Sequence, residues 1–196
     1  VNKEKKIEKR SSIIEVAATI FSEKGYPSTK MEEIAEKAGV GKGTIYQYFR
    51  SKKHLFQEII KERIDLYIIG MKDEIKDYTG LEEILKKIVK FSFSFMEKHS
   101  DVLKIIADHH SLIDKSMTKW MYDRKAKITN LLSKIINENT EKATQNIRDT
   151  NLAAYCFLGM MFSVIEERVF HHMEFDMEEA SDQLAKIFLY GYVQGK

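Results

Sequence analysis

The chain contains one cysteine and one proline in 196 residues. A lone Cys156 excludes an internal disulfide, and no C-x-x-C pair or zinc-finger spacing exists. Within its apolar run, Cys156 reads as inert packing. No apolar stretch approaches the roughly eighteen residues of a membrane span, and the first residues are charged rather than signal-like. The expected location is therefore cytoplasmic, with no membrane partner. Also missing are a phosphate-binding glycine loop, a nucleophile elbow and any polar catalytic constellation. Acidic residues mostly have Lys or Arg neighbours at helical distances. The expectation is a protein that is not an enzyme and needs no cofactor. His109-His110 and His171-His172, with Asp108 or Glu166 nearby in sequence, suggest a metal only superficially. Adjacent helical histidines point about 100° apart, so each pair offers one ligand more readily than two, and no metal site is expected.

What remains is helix. Alternating strand patterns are lacking, glycines number only nine, and apolar residues recur near the helical period throughout. The reading is all-α with about nine helices, near 8–24, 31–38, 42–48, 51–77, 81–98, 101–110, 114–138, 147–171 and 177–194. Residues 137–150, rich in Asn and Thr, read as a loop. Charge is unevenly spread along this order. Residues 1–55 hold twelve Lys/Arg against seven Glu, a net of +5, whereas the remainder carries a net of −3. A basic N-terminal module on a mildly acidic body fits a nucleic-acid footprint at one end.

Met31 to Arg50 (MEEIAEKAGVGKGTIYQYFR) sharpens that suggestion. Ala35 is small enough for two helices to cross closely. Gly39 can take the positive φ of a tight helix-ending turn. Ile45 fills the angle between the helices, joined there by Ile34, Ala38 and Val40. Gly25-Tyr26-Pro27 punctuates the chain before this unit. Thr29 is the expected N-cap, with Glu32 at the capping-box position. Lys42-Gly43-Thr44 opens the second helix, and Ser51 can cap the next. Such a sharp two-helix crossing suits placement of the second helix in a DNA groove. Its exposed residues, Lys42, Thr44, Tyr46, Gln47 and Tyr48, can bond phosphates and base edges.

These residues resemble the tetracycline-repressor family of bacterial regulators. The resemblance lies in Gly25-Tyr26, Thr29, Ile34-Ala35, Ala38-Gly39-Val40, Gly43-Thr44-Ile45-Tyr46, Tyr48-Phe49 and Ser51-Lys52. It implies a helix-turn-helix DNA-binding domain over 1–53 and an effector-binding and dimerisation domain over 54–196, linked by the helix at about 51–77. It further implies a homodimer, a palindromic double-stranded operator and a small-molecule effector. The family's DNA-facing positions fall on Thr29, Lys42, Gly43, Thr44, Tyr46, Gln47, Tyr48 and Lys52. Gln47 is the best base reader, because its amide can pair bidentately with adenine. Lys52 reads as a phosphate clamp. Tyr48 either faces DNA or packs in the module's core. The basic segment Asn2 to Arg10 either contacts the backbone or minor groove or is a solvated helix start.

Residues 152–165 are apolar almost all round a helix and must be buried on two sides. By the resemblance, the last two helices form the dimer interface, with Leu152, Phe157, Met161, Ile165, Ala180, Leu184, Ile187 and Gly191 on it. Phe91, Phe95, Met117, Trp120, Met121, Tyr155, Met160 and Phe162 supply aromatic and flexible apolar surface. They read either as an adaptable pocket for a hydrophobic effector or as plain core. The sequence thus points to a ligand-responsive regulator, more a repressor than an activator. The alternatives are a constitutive DNA-binding or architectural protein whose C-terminal domain only dimerises, or an enzyme carrying an ancestral DNA-binding module.

Overall fold

The computed structural model describes residues 2–100, 113–140, 149–171 and 173–193. The helix expected near 101–110, Asp108, His109, His110 and His172 lie outside the described residues, as does most of the expected loop at 137–150. Within them, eight α-helices and no strands form the fold: α1 Asn2–Lys24, α2 Met31–Lys37, α3 Lys42–Tyr48, α4 Lys52–Ile75, α5 Leu81–Lys98, α6 Lys115–Thr140, α7 Thr150–His171 and α8 Met177–Val193. Helix α1 begins six residues before its expected start. Good helix formers and the absence of proline and glycine carry the basic segment into regular structure.

Two compact units result: Val1–Asp65 with His99–Thr118, and Leu66–Lys98 with Lys119–Lys196. In the first, Ile13, Ile14, Ala17, Ile20 and Phe21 of α1 are fully buried, together with Ile34, Ala35, Ile45, Phe49, Leu55, Phe56 and Ile59. Phe21, Tyr26 and Phe56 form an aromatic triangle with centroids 5.3–6.5 Å apart. Each buried phenylalanine contributes about 1.5–3 kcal/mol by leaving water. Arg63 donates a bidentate pair of hydrogen bonds to Glu15 at 2.7 and 2.6 Å, joining α4 to α1. Arg10 also joins α1 to α4, donating one hydrogen bond each to Glu62 and Glu58, at 2.9 and 2.6 Å.

In the second unit α5 packs on α7 and α8. Leu85, Ile88, Val89 and Phe93 bury one stripe of α5, while Ala153, Ala154, Phe157, Met161 and Ile165 bury one side of α7. Phe157 meets Phe188 edge-on at 5.2 Å. Lys86 bridges α5 to α8 through Asp182, 2.8 Å away, while also pairing with Glu82. Both carboxylates raise its pKa, Asp182 foremost.

Candidate nucleic-acid interface

The turn between α2 and α3 is a Schellman motif. Helix α2 is capped at Ala38. Gly39 has φ 65° and donates its N–H to Glu36 O at 3.0 Å, while Val40 donates to Ala35 O at 2.9 Å. Both bonds satisfy carbonyls that the helix end would orphan. A side chain at Gly39 would meet no neighbour within 4 Å. The glycine is therefore needed for its left-handed backbone, not for room. Ile45 is fully buried beneath this crossing, so the positions expected to fix the motif do so.

The caps around it divide. Ser51 caps α4 as expected, accepting the His54 N–H at 3.0 Å. Thr29 does not cap α2. That position is Lys30, without a side-chain cap bond. The Thr29 hydroxyl instead donates backwards to Gly25 O at 2.9 Å, and the residue is 1% exposed. Its expected DNA-facing role is corrected on the same ground, because a buried hydroxyl bonded within its own turn does not reach a phosphate.

Lys52 needs the second correction. Its ammonium donates to the carbonyls of Tyr26, Pro27 and Thr29 at 2.7, 3.1 and 2.8 Å and lies 4.4 Å from the Tyr26 ring centroid. An ammonium has three donors, and all three are engaged here. Desolvation lowers its pKa. In this arrangement Lys52 pins the turn between α1 and α2 rather than clamping a phosphate. Sequence position suggested the clamp; only the fold brings three carbonyls around the same amine.

The exposed face of α3 consists of Lys42, Gly43, Tyr46 and Gln47, with Thr44 and Tyr48 half-buried. Lys42 pairs with Glu32 at 2.7 Å, and both side chains remain largely in solvent. That pair is exchangeable for a phosphate at little cost, since exposed ion pairs contribute about 0–1 kcal/mol. Tyr48 lines an open groove of about 870 Å³ with Gln47, Ala38 and the α1 residues Lys5, Lys6, Glu8, Lys9 and Ser12. Three lysines thus share a groove with Gln47, the residue expected to read bases. Their alignment was legible only as a basic segment, because the sequence does not say which face of α1 meets α3. Arg10, by contrast, is tied to Glu58 and Glu62 and sits 5.6 Å from the Phe49 ring.

The second unit gathers part of the expected pocket set. Phe95, Phe91 and Phe162 surround Tyr67 with centroids 5.4, 5.7 and 6.5 Å away. All three phenylalanines are half-buried, while Tyr67 is buried. The Tyr67 hydroxyl lies 2.8 Å from Ser92 Oγ, which donates to Ile88 O at 2.6 Å. Burial pushes the tyrosine pKa up to about 12. Trp120, Met121 and Met160 are also half-buried, and Trp120 stacks with Arg124 at 4.9 Å. Met117 is buried and belongs to the first unit. Tyr155 is half-exposed on the outside of α7. Tyr67 was missed because a tyrosine within a long helix carries no signal of its own.

Of the residues expected in a dimer interface, Leu152 and Ile187 are 53% and 59% exposed, and Ala180 is half-buried. Gly191 lies within α8. Phe157, Met161, Ile165 and Leu184, also expected there, are instead buried within the second unit itself, packed into its core. Cys156 is exposed beside Leu152 and Tyr155, contrary to its expected burial. His171 is exposed at the end of α7. Among the described residues, no three His, Cys, Asp or Glu side chains are placed to hold a metal, and no helix is long and apolar enough to cross a membrane.

Residues 13–59 match the family described as bacterial regulatory proteins, tetR family. The chain is 29% identical over 102 residues to the HTH-type transcriptional activator FasR of Mycolicibacterium smegmatis, covering 52% of this chain and 47% of that one. It is 24% identical over 193 residues to the fatty acid metabolism regulator protein of Bacillus subtilis, covering 93% and 95%. The chain thus spans about half the length of the first relative and nearly all of the second. The solved structure of the transcriptional regulator FadR from Bacillus subtilis in complex with stearoyl-CoA shares the fold. Its TM-score is 0.76 at 23% identity, covering 92% of this chain and 98% of that one. Residues 13–59, which carry the helix-turn-helix, thus resemble the bacterial regulatory proteins of the tetR family, and the chain shares its helical fold with a solved transcriptional regulator along 92% of its length.

Proposed function

We propose that the chain acts as a dimeric, ligand-responsive transcriptional repressor, released from a palindromic operator by a small hydrophobic effector. The observation that carries the reading is the exposed Lys42, Tyr46 and Gln47 surface of α3, held on its Schellman turn beside the lysine-lined groove. Residues 1–53 would bind DNA and 54–196 would bind effector and dimerise, with α4 belonging to both functions. Two copies of α3 about one DNA turn apart would read two half-sites. The copies would meet through the exposed sides of α7 and α8, where Leu152, Tyr155, Cys156, Gly159, Ile187 and Tyr190 leave apolar or small surface uncovered. Gln47 and Tyr46 would contact base edges, while Lys42, Lys5, Lys6 and Lys9 would contact phosphates.

The aromatic quartet around Tyr67 supports an apolar effector, and the stearoyl-CoA bound to the FadR relative makes a long acyl chain the first candidate. Release requires the effector to bind the DNA-incompetent state more tightly. A coupling of about 1–3 kcal/mol would lower operator affinity roughly 5- to 150-fold. The test begins with selection of an operator from random duplex DNA, followed by fluorescence anisotropy with and without stearoyl-CoA. A fall in affinity on adding the acyl-CoA is expected. Tight binding that no acyl-CoA changes would defeat the effector reading and leave a constitutive DNA-binding protein. Failure to enrich any duplex would defeat the DNA reading itself.

A further inference from the structure

Gly70 lies in the interior of α4, a helix of 24 residues. A glycine there costs about 1 kcal/mol relative to alanine, so its presence calls for a steric reason. The reason is Phe91. A Cβ at position 70 would stand 2.5 Å from Phe91 Cζ and 2.9 Å from Cε2, whereas Gly159 of α7 and Gly43 of α3 have nothing within 4 Å of theirs. The Phe91 ring therefore rests directly on bare α4 backbone.

The ring's other neighbours limit where it can go. Its centroid is 5.7 Å from Tyr67 and 5.7 Å from Phe95. Tyr67 is buried and held through its hydroxyl by Ser92, which is itself bonded to Ile88 O. Phe95 and Phe162, both half-buried, complete the aromatic group around Tyr67. Phe91 is half-buried too. A Cβ at position 70 would stand closer to the ring than packed carbons come, so the ring, as the end of a flexible side chain, must move off α4.

We infer that position 70 is a specificity determinant: bare backbone at Gly70 lets Phe91 lie back against α4, and so sets how long an acyl chain the aromatic group admits. The inference rests on the acyl-effector reading above and adds the residue that measures length. Each methylene that loses its place weakens binding roughly fourfold. Pushing the ring forward by about one methyl group removes room for one or two of them.

The experiment compares binding of octanoyl-, lauroyl-, palmitoyl- and stearoyl-CoA by calorimetry to the full chain, to Gly70→Ala, to Phe91→Leu and to the double variant. Gly70→Ala should weaken stearoyl-CoA roughly tenfold while leaving octanoyl-CoA within about twofold. Phe91→Leu in the Gly70→Ala background should restore the longest chain. Phe91→Leu alone should shift preference toward longer chains, which keeps the inference testable if Gly70→Ala does not fold. Equal weakening of every chain length by Gly70→Ala, or no restoration by the second change, overturns the length determinant and leaves acyl binding intact. A parent protein that binds none of the four overturns the acyl reading itself and the inference with it.

Discussion

The two units use polar side chains in opposite ways. In the first, the residues positioned to act stand on the surface: Gln47, Tyr46 and Lys42 of α3, and Lys5, Lys6 and Lys9 of α1. The polar groups turned inward there, Thr29 and Lys52, hold the turn between α1 and α2. In the second unit the polar pair of interest, Tyr67 and Ser92, is buried inside an aromatic group, and the surface charges zip α5 to α8 through Lys86 and Asp182. In the proposed function, the exposed donors of the first unit would turn to a charged polymer, and the apolar walls of the second, with their hydroxyls satisfied, would suit an apolar effector.

The largest expected effect tests whether the first unit's core supports its surface. Phe49 is fully buried at the end of α3, and Phe49→Ala should cost about 3–5 kcal/mol. Denaturant unfolding should show this together with loss of operator binding. A change below about 1 kcal/mol would mean that the end of α3 is not packed as described.

The next effect separates base reading from charge. Gln47→Ala should weaken the selected operator by about 1–3 kcal/mol and relax preference at one base pair per half-site. Binding to unrelated duplex should not change. Uniform loss on every sequence would reassign Gln47 to the backbone.

Two lysines then divide structure from electrostatics. Lys9→Ala should flatten the dependence of log affinity on log salt by about one contact per subunit, with unfolding temperature unchanged. Lys52→Ala should leave that slope intact and lower the unfolding free energy by about 1 kcal/mol, because three carbonyls lose their donor. If Lys52→Ala flattens the slope instead, its ammonium leaves the turn and grips phosphate in the complex.

The smallest expected effect is acid sensitivity at Asp114, within the first unit. Its carboxylate accepts the Met117 backbone N–H at 2.9 Å and also meets Lys53 at 3.0 Å and Gln57 at 3.2 Å. These partners, the Met117 amide foremost, hold its pKa down at about 2, from an ordinary 3.8. A folded pKa below the unfolded one adds stability that is fully present above the unfolded value. That stability disappears as pH falls through the folded value. Unfolding measured from pH about 4 to about 2 should therefore show a loss that Asp114→Asn abolishes. An identical acid profile in the variant would remove Asp114 from the account.

The division between sequence and structure follows the range of the interactions. The amino-acid order alone determined the helices, because periodic apolar residues and a shortage of breakers act over a few residues. It also determined the α2–α3 turn, since Gly39, Ala35 and Ile45 meet across a span of only eleven positions. Ser51 was legible as a cap because it acts three residues away.

What only the tertiary structure decided involves partners far apart in the chain. Lys52 reaches carbonyls 23 to 26 residues away, so its charge suggested a phosphate contact that folding replaces with a turn clamp. The lysines of α1 become part of a groove because α1 packs on α2, which leaves them across an open space from Gln47 and Tyr48. In α7, apolar residues nearly all round the helix required two buried sides. Only packing showed that Phe157, Met161 and Ile165 turn inward while Leu152, Tyr155 and Cys156 turn outward. Gly70 is the sharpest case. As a letter in the sequence it is a weak spot in a helix, and its purpose exists only once Phe91, 21 positions later, comes to rest on it.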